Sequence, residues 1–174
     1  MLPANPSIVL IGFMGTGKSE TGRELARTLA WPYLDTDLMV EEALGCPIPQ
    51  IFAQFGEARF RDEETAALQS IQPKTRSIIV AGGGAVLRAE NVARMRQLGM
   101  VVCLTADLST LELRLAGRSD RPLLPIENRS EMIRKLSRER EAYYRKAADF
   151  TFDTSRLSPS EVAELILKSL ALSQ

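Results

Sequence analysis

The sequence predicts an α/β fold in which five parallel strands form one sheet between two layers of helices. Short apolar runs alternate with helical patterns along almost the whole chain, and neighbouring parallel strands need such crossovers. A glycine-rich loop follows the first apolar run and opens the first helical pattern, as in phosphate-binding α/β proteins. The length of 174 residues, 45% of them hydrophobic, predicts a single domain over residues 1–174.

The first predicted strand, SIVLIG, is apolar enough to be buried on both faces of the sheet. The predicted strands are residues 7–12, 32–37, 76–84, 100–106 and 150–154. The helical patterns between them cover residues 18–30, 37–45, 47–71, 91–99 and 108–117. Within these patterns, a break is expected near Gly56, and Gly99 stands where it would end a helix.

Two further helices are predicted near the end of the chain. A long one is expected to open at Asn128, where Glu131 completes the spacing of a capping box. In the last one, Ser158 is the expected N-cap, Pro159 occupies the first turn and Glu161 is the acid at the third position.

The composition excludes several classes of function. Lysine plus arginine and aspartate plus glutamate both number 22, and no long basic run offers a surface for nucleic acid. No apolar run approaches the roughly 20 residues that span a bilayer, and the first residues lack the pattern of a secretory signal. Cys46 and Cys103 are isolated, so we expect a protein of the reducing cytoplasm. Histidine is absent, which removes the usual general base.

The stretch GFMGTGKS carries the strongest functional signal. Gly12, Gly17, Lys18 and Ser19 fill the phosphate-loop pattern directly after a strand and before a helix. Glycines let backbone N–H groups turn toward phosphates, Lys18 would reach the β and γ phosphates, and the Ser19 hydroxyl would meet Mg²⁺. A dinucleotide-binding loop is excluded because Glu20 stands where its third glycine would be.

Two carboxylates follow in PYLDTD. On an extended segment Asp35 and Asp37 would point the same way, at the edge of the sheet where open α/β folds bind ligands. One would serve the metal and the other the acceptor. Asp37 is also a candidate N-cap of the next helix, and the two roles are compatible.

Two arginines fall where apolar residues are expected. Arg140 lies near the centre of the apolar stripe of the long helix, and Arg61 lies at the margin of another, with Glu64 one turn on. Together they would hold a carboxylate by charge-assisted hydrogen bonds, although ordinary ion pairs remain the alternative. The run Gly82, Gly83 and Gly84 permits close backbone approach to a small ligand, or forms a bare turn.

The polar stretch RSDRPLLP, residues 118–125, carries Arg118 and Arg121 between two helices. Its composition suits a mobile lid, about residues 117–127, that brings an arginine to the transferring phosphate. The alternative is an ordinary surface loop.

This set resembles the shikimate kinase family: GFMGTGKS, DTD, FRDEE, AGGGAV, RPLL and the helix with Arg140 and Tyr144 occur in that family's order and spacing. The resemblance covers nearly the whole chain. It implies a fold of the nucleoside-monophosphate-kinase type, Mg²⁺ with ATP as donor, and the 3-hydroxyl of shikimate as acceptor. A monomer that binds neither nucleic acid nor membrane is expected.

The resemblance also implies residue roles. The expected catalytic residues are Lys18, Asp37 and Arg121. The nucleotide would be bound by Met14, Gly15, Thr16, Gly17, Lys18, Ser19, Arg121 and Arg156. The substrate-binding region would lie at about residues 35–65. The residues expected to bind shikimate are Asp37, Arg61, Gly82, Gly83, Gly84 and Arg140. Ser19, and Asp35 through water, would support the metal. Where many members carry an arginine near the adenine, Leu157 occupies the matching position here and Arg156 precedes it. Either of these two residues would meet the base, and contacts from Arg114 or Arg118 are further alternatives.

Two rival functions are less consistent with the residues. A gluconate-kinase-like enzyme would not need the paired arginines and the glycine run. A nucleotide-dependent switch protein would carry a guanine-binding NKxD and a D-x-x-G motif, both of which are absent.

Overall fold

The computed structural model describes residues 7–73, 75–118 and 122–171. Its strands are β1 (Ser7–Gly12), β2 (Tyr33–Asp35), β3 (Ile78–Val80), β4 (Gly99–Thr105) and β5 (Phe150–Asp153). Its α-helices are α1 (Lys18–Leu29), α2 (Thr36–Leu44), α3 (Ile48–Ser70), α4 (Ala89–Leu98), α5 (Leu108–Leu115), α6 (Arg129–Ala147) and α7 (Pro159–Ala171). A short 3-10 helix spans Ala85–Leu87. The predicted α/β fold is therefore confirmed.

All five strands run parallel in the order β2-β3-β1-β4-β5. The strand β1 lies in the middle because its side chains are apolar on both faces. Val9 and Ile11 face the core formed with α3 to α6, whereas Ile8 and Leu10 face the core formed with α1 and α7. The chain leaves β1 toward β2 and β3 and later crosses to β4, so the crevice beyond the carboxyl end of β1 is where an open sheet binds its ligand.

Several predicted boundaries are confirmed. Gly56 has non-helical angles, φ 78° and ψ 170°, and divides α3 into two pieces. The helix α4 ends before Gly99, whose Cβ, if present, would collide with the backbone of Ser7 in the neighbouring strand. At the start of α7, the Ser158 hydroxyl accepts from the Glu161 N–H at 3.3 Å, and the Glu161 carboxylate accepts from the Ser158 N–H at 2.7 Å.

Other local predictions are wrong. Asn128 precedes α6, but its side chain makes no capping hydrogen bond, so the expected capping box is not formed. The second and third strands are shorter than predicted, since β2 ends at Asp35 and β3 ends at Val80.

Within the described ranges, no helix is both long and apolar enough to cross a bilayer.

Candidate active site

The phosphate loop has the strand-loop-helix context that its motif predicts. It joins β1 to α1, and its backbone is left-handed at Gly15 (φ 82°) and Gly17 (φ 88°), where a side chain would be strained. The Lys18 ammonium group donates to the carbonyl oxygens of Gly12 at 2.9 Å and Phe13 at 3.0 Å. These bonds hold the charge of Lys18 across the opening of the loop, where it can meet an anion.

A cavity of about 520 Å³ opens above this loop, and we call it the nucleotide cavity. Its described lining includes these residues predicted to form the site: Met14, Gly15, Thr16, Gly17, Lys18, Ser19, Asp35, Asp37, Gly82 and Gly83. Arg114, Arg118, Thr154 and Leu157 also line it. A cavity of this volume suits a nucleotide-sized ligand.

Part of the nucleotide cavity is lined by residues that are distant in sequence from the phosphate loop. Arg114 donates to the carbonyl of Gly15 at 3.1 Å and to the carbonyl of Thr154 at 2.8 Å. Leu157 lines the cavity, whereas the Arg156 side chain is exposed and is not part of its described lining. The geometry therefore favours Leu157 and Arg114 over Arg156 as neighbours of a bound base.

The expected arrangement of the two aspartates on an extended segment is wrong. Asp35 ends β2 and is the N-cap of α2, and one of its oxygens accepts from the N–H of Asp37 at 3.0 Å. Asp37 therefore lies in the first helical turn, because the cap starts the helix before the second aspartate is reached. The other Asp35 oxygen accepts from the Tyr33 hydroxyl at 3.0 Å. Both carboxylates nevertheless line the nucleotide cavity.

A second, smaller cavity adjoins the first, and we call it the acceptor cavity. Its described lining consists of Met14, Asp37, Ile48, Phe52, Phe60, Arg61, Glu64, Gly83, Gly84, Pro122, Leu123 and Arg140. Three of these residues, Met14, Asp37 and Gly83, line both cavities. Pro122 and Leu123 belong to the predicted lid, whereas the predicted catalytic residue Arg121 lies outside the described residues.

Arg61 and Arg140 come from different helices to this one cavity. Arg61 is 9% exposed and Arg140 is 4% exposed, so both guanidinium groups are withdrawn from bulk water. Arg61 bonds to the carboxylates of Glu57 and Glu64, each at 3.0 Å. Arg140 donates at 3.4 Å to the carbonyl of Gly83, which also accepts from the Tyr144 hydroxyl. Two such cations beside one small cavity form a suitable site for an organic anion.

The glycine run allows these charged groups to converge. A Cβ at Gly84 would collide with the guanidinium group of Arg61, and a Cβ at Gly82 would collide with the carboxylates of Asp37 and Glu64. The N–H of Gly82 donates to the hydroxyl of Thr36 at 3.0 Å. A residue larger than glycine would therefore displace the groups that line the cavity.

Opposing effects act on the pKa of the Glu64 carboxyl. Burial raises the pKa of this carboxyl from 4.5 to about 7, and the Asp37 carboxylate adds to the rise, while Arg61 and Arg140 oppose it. One Glu64 oxygen pairs with Arg61, and the other has no hydrogen-bond partner within the described part of the chain. This second oxygen lies beside Gly82, where a Cβ would collide with it.

We expect the raised pKa of Glu64 to make stability depend on pH. The folded protein holds the proton more tightly than the unfolded chain, so the stabilisation is complete below about pH 4.5 and is lost as pH rises toward about 7. The wild-type free energy of unfolding should therefore fall by about 2 kcal/mol relative to Glu64→Gln between about pH 5 and about pH 8. Urea unfolding of both proteins at several pH values measures this difference. A difference independent of pH would contradict the expectation.

Two threonines that the sequence did not single out, Thr36 and Thr154, support the site by hydrogen bonds. The Thr36 hydroxyl accepts from the N–H of Gly82, and the Thr154 hydroxyl donates to the carbonyl of Thr16 at 2.9 Å and accepts from the Arg114 side chain at 3.0 Å. Thr36 lies between the two aspartates of DTD and Thr154 follows β5, but a threonine after a strand is too common for its role to be recognised from the sequence. The pairing of β4 with β5 brings Thr154 near the phosphate loop.

Comparison with known proteins gives a consistent picture. Residues 14–171 match the family model described as "Shikimate kinase". The shikimate kinase of Thermodesulfovibrio yellowstonii is 46% identical over 162 residues, which cover 93% of each chain. The structure of Acinetobacter baumannii shikimate kinase in complex with shikimate is 34% identical, with a TM-score of 0.94 over 98% of this chain and 96% of that one. A gluconokinase from Sinorhizobium meliloti, 16% identical with a TM-score of 0.59 over 97% and 93% of the two chains, shares the fold.

Proposed function

This chain belongs to the shikimate kinase family of ATP-dependent kinases, and on that premise we propose that it transfers the γ-phosphoryl group of ATP to the 3-hydroxyl of shikimate. The products are 3-phosphoshikimate and ADP. One observation carries the proposal: a phosphate-loop cavity and a cavity with two buried guanidinium groups adjoin each other, and Asp37 lines both. A small hydroxylated acid held in the second cavity would present its hydroxyl to a triphosphate in the first.

The acceptor cavity supports recognition of a carboxylate. Arg61 and Arg140 would grip the shikimate carboxylate, and each charge-assisted hydrogen bond is worth roughly 1.5 to 3 kcal/mol. Backbone groups of Gly82, Gly83 and Gly84 would approach the ring closely because no side chain intervenes. Gluconate is also a hydroxylated acid, but the 34% identical enzyme whose structure is in complex with shikimate favours the shikimate assignment.

The nucleotide cavity supports binding of the triphosphate tail. The backbone N–H groups of residues 14–19 and the N-terminus of α1 would hold the phosphates, with the Lys18 charge beside them. Leu157 and Arg114 are better placed than Arg156 to meet the base. We keep Arg121 as a proposed phosphate contact on the basis of the family resemblance.

The donor set near the phosphate loop fits Mg²⁺. The Ser19 hydroxyl and the Asp35 carboxylate line the cavity beside Lys18, and oxygen donors of this kind, completed by water and phosphate, suit the ion. The described residues hold no cluster of three or more acidic, cysteine or histidine residues that would bind a metal unaided. When bound, the ion would neutralise charge on the phosphate oxygens.

Phosphoryl transfer of this kind passes through a loose transition state, so positioning and charge neutralisation supply most of the acceleration. Lys18 would stabilise charge on the transferring group. Asp37, at the junction of the two cavities, would orient the acceptor hydroxyl and take its proton late in the transfer. The monomeric state and the cytoplasmic location stay predictions.

A panel of acceptors tests the proposed reaction. We expect ADP release from Mg²⁺ and ATP to depend on added shikimate, and to stay near the background rate with gluconate or without an acceptor. A coupled assay for ADP measures the rate, and mass spectrometry identifies the phosphorylated acid. Equal ADP release in the absence of acceptor would favour a nucleotide hydrolase and contradict the proposal.

A further inference from the structure

Arg88 connects the segment after the glycine run to the helix that carries Arg61. It precedes α4, and its side chain reaches back to α3. One nitrogen donates to the carbonyl of Arg61 at 3.1 Å and to the hydroxyl of Thr65 at 3.1 Å, and the other pairs with the carboxylate of Asp62 at 2.7 Å. Arg88 thus bonds to the helical turn that begins at Arg61.

One short segment, residues 84–88, consequently contacts both the guanidinium group and the backbone carbonyl of Arg61. The guanidinium group lies directly over Gly84, where no Cβ would fit, and the carbonyl oxygen accepts from Arg88, four residues later. The bond from Arg88 therefore holds the Arg61 backbone at a fixed distance from the glycine run. Together with the ion pairs to Glu57 and Glu64, that distance sets where the guanidinium group lies in the acceptor cavity.

The interruption of α3 leaves the piece that carries Arg61 to be held by its own contacts. The helix is interrupted at Gly56, so the piece that carries Arg61 is not continuous with the piece before it. Its other end is held by a second arginine, since Arg94 of α4 donates to the carbonyls of Leu68, Gln69 and Ile71. Arg88 and Arg94 thus fix opposite ends of the same helical piece. Of the two, Arg88 is the one that bonds to a residue of the acceptor cavity.

We propose that Arg88 is a positioning residue for acceptor recognition, and that it acts by holding Arg61 at the geometry that a carboxylate requires. The inference rests on the proposed role of Arg61 in binding shikimate. Because a small displacement of a positioned group weakens its bonds strongly, the loss of Arg88 should affect shikimate far more than the nucleotide.

Substitution of the two arginines tests this proposal. For Arg88→Met we expect the Kd of shikimate, measured by calorimetry, to rise about tenfold, with the Kd of ADP within about twofold of wild type. The matched control is Arg94→Met, which removes a comparable clamp from the same helical piece and should leave the Kd of shikimate within about twofold. Arg88→Lys, which retains one donor group, should give an intermediate Kd and serves if the methionine variant unfolds.

A double substitution shows whether Arg88 acts through Arg61. Arg61→Met alone should weaken shikimate binding, and adding Arg88→Met should then weaken it little further, because the group to be positioned is gone. Full additivity, or equal effects of Arg88→Met and Arg94→Met, would overturn the proposal and leave the assigned function intact. If Arg61→Met leaves shikimate binding unchanged, the proposed role of Arg61 fails, and the inference about Arg88 fails with it.

Discussion

Replacing Lys18 with methionine is expected to lower kcat about 1,000-fold, since a group aimed at charge that develops in the transition state is lost. The Lys18 ammonium group bonds to the carbonyls of Gly12 and Phe13 and lines the nucleotide cavity. Methionine retains most of the length of the side chain but carries no charge. Binding of ADP should weaken less than turnover, because the backbone N–H groups of the loop remain.

Steady-state kinetics with saturating ATP and shikimate would measure the loss in kcat, and calorimetry would measure the binding of ADP. Lys168→Met is a suitable control because Lys168 is exposed on α7. The control variant should retain wild-type kcat, and thermal unfolding should show both variants folded. A Lys18→Met enzyme with more than about a tenth of the wild-type kcat would contradict the assigned role.

The parts of the molecule that sequence predicts well are those set by local interactions. The phosphate loop needs a buried strand, glycines with positive φ and a helix start, and these lie within a dozen consecutive residues. The break at Gly56 and the cap formed by Ser158 and Glu161 are local in the same sense. In each case the residues that cause the structure are those that adopt it.

Local prediction fails where two local signals compete. Asp35 and Asp37 are two apart, which suggests an extended pair, but Asp35 caps α2 and places Asp37 within the helix. At Asn128 and Glu131 the spacing of a capping box is present, yet the side-chain bond is not made. The spacing alone does not describe the backbone angles at the cap position, which are extended at Asp35 (φ −125°, ψ 117°) but not at Asn128 (φ −134°, ψ 31°).

The sequence indicates which residue types form the acceptor cavity, but not their supports. An arginine on an apolar stripe points to a buried anion partner, so Arg61 and Arg140 were identifiable as candidates, and both line the one cavity. That Arg88 bonds to the carbonyl of Arg61 follows only from the packing of α3 against the segment before α4, 27 residues away. Such contacts are created by the topology of the fold.

The second large effect is expected for Asp37→Asn, which should lower kcat about 100-fold or more, the usual contribution of a general base and its alignment. Among the described residues that line both cavities at once, Asp37 is the only ionisable one. The chain contains no histidine that would replace it as a base. Asparagine has almost the same shape, so it should still fit beside Gly82. The protein should therefore remain folded and bind both ligands.

The distribution of the Asp37→Asn effect between kcat and binding distinguishes catalysis from recognition. If Asp37 orients the hydroxyl and takes its proton, kcat falls while the Kd of shikimate and of ADP change by no more than about threefold. The control is Glu42→Gln, an exposed residue of the same helix, which should be neutral. Near-normal kcat would remove Asp37 from the reaction. A loss confined to the Kd of shikimate would make Asp37 a recognition residue and not the base.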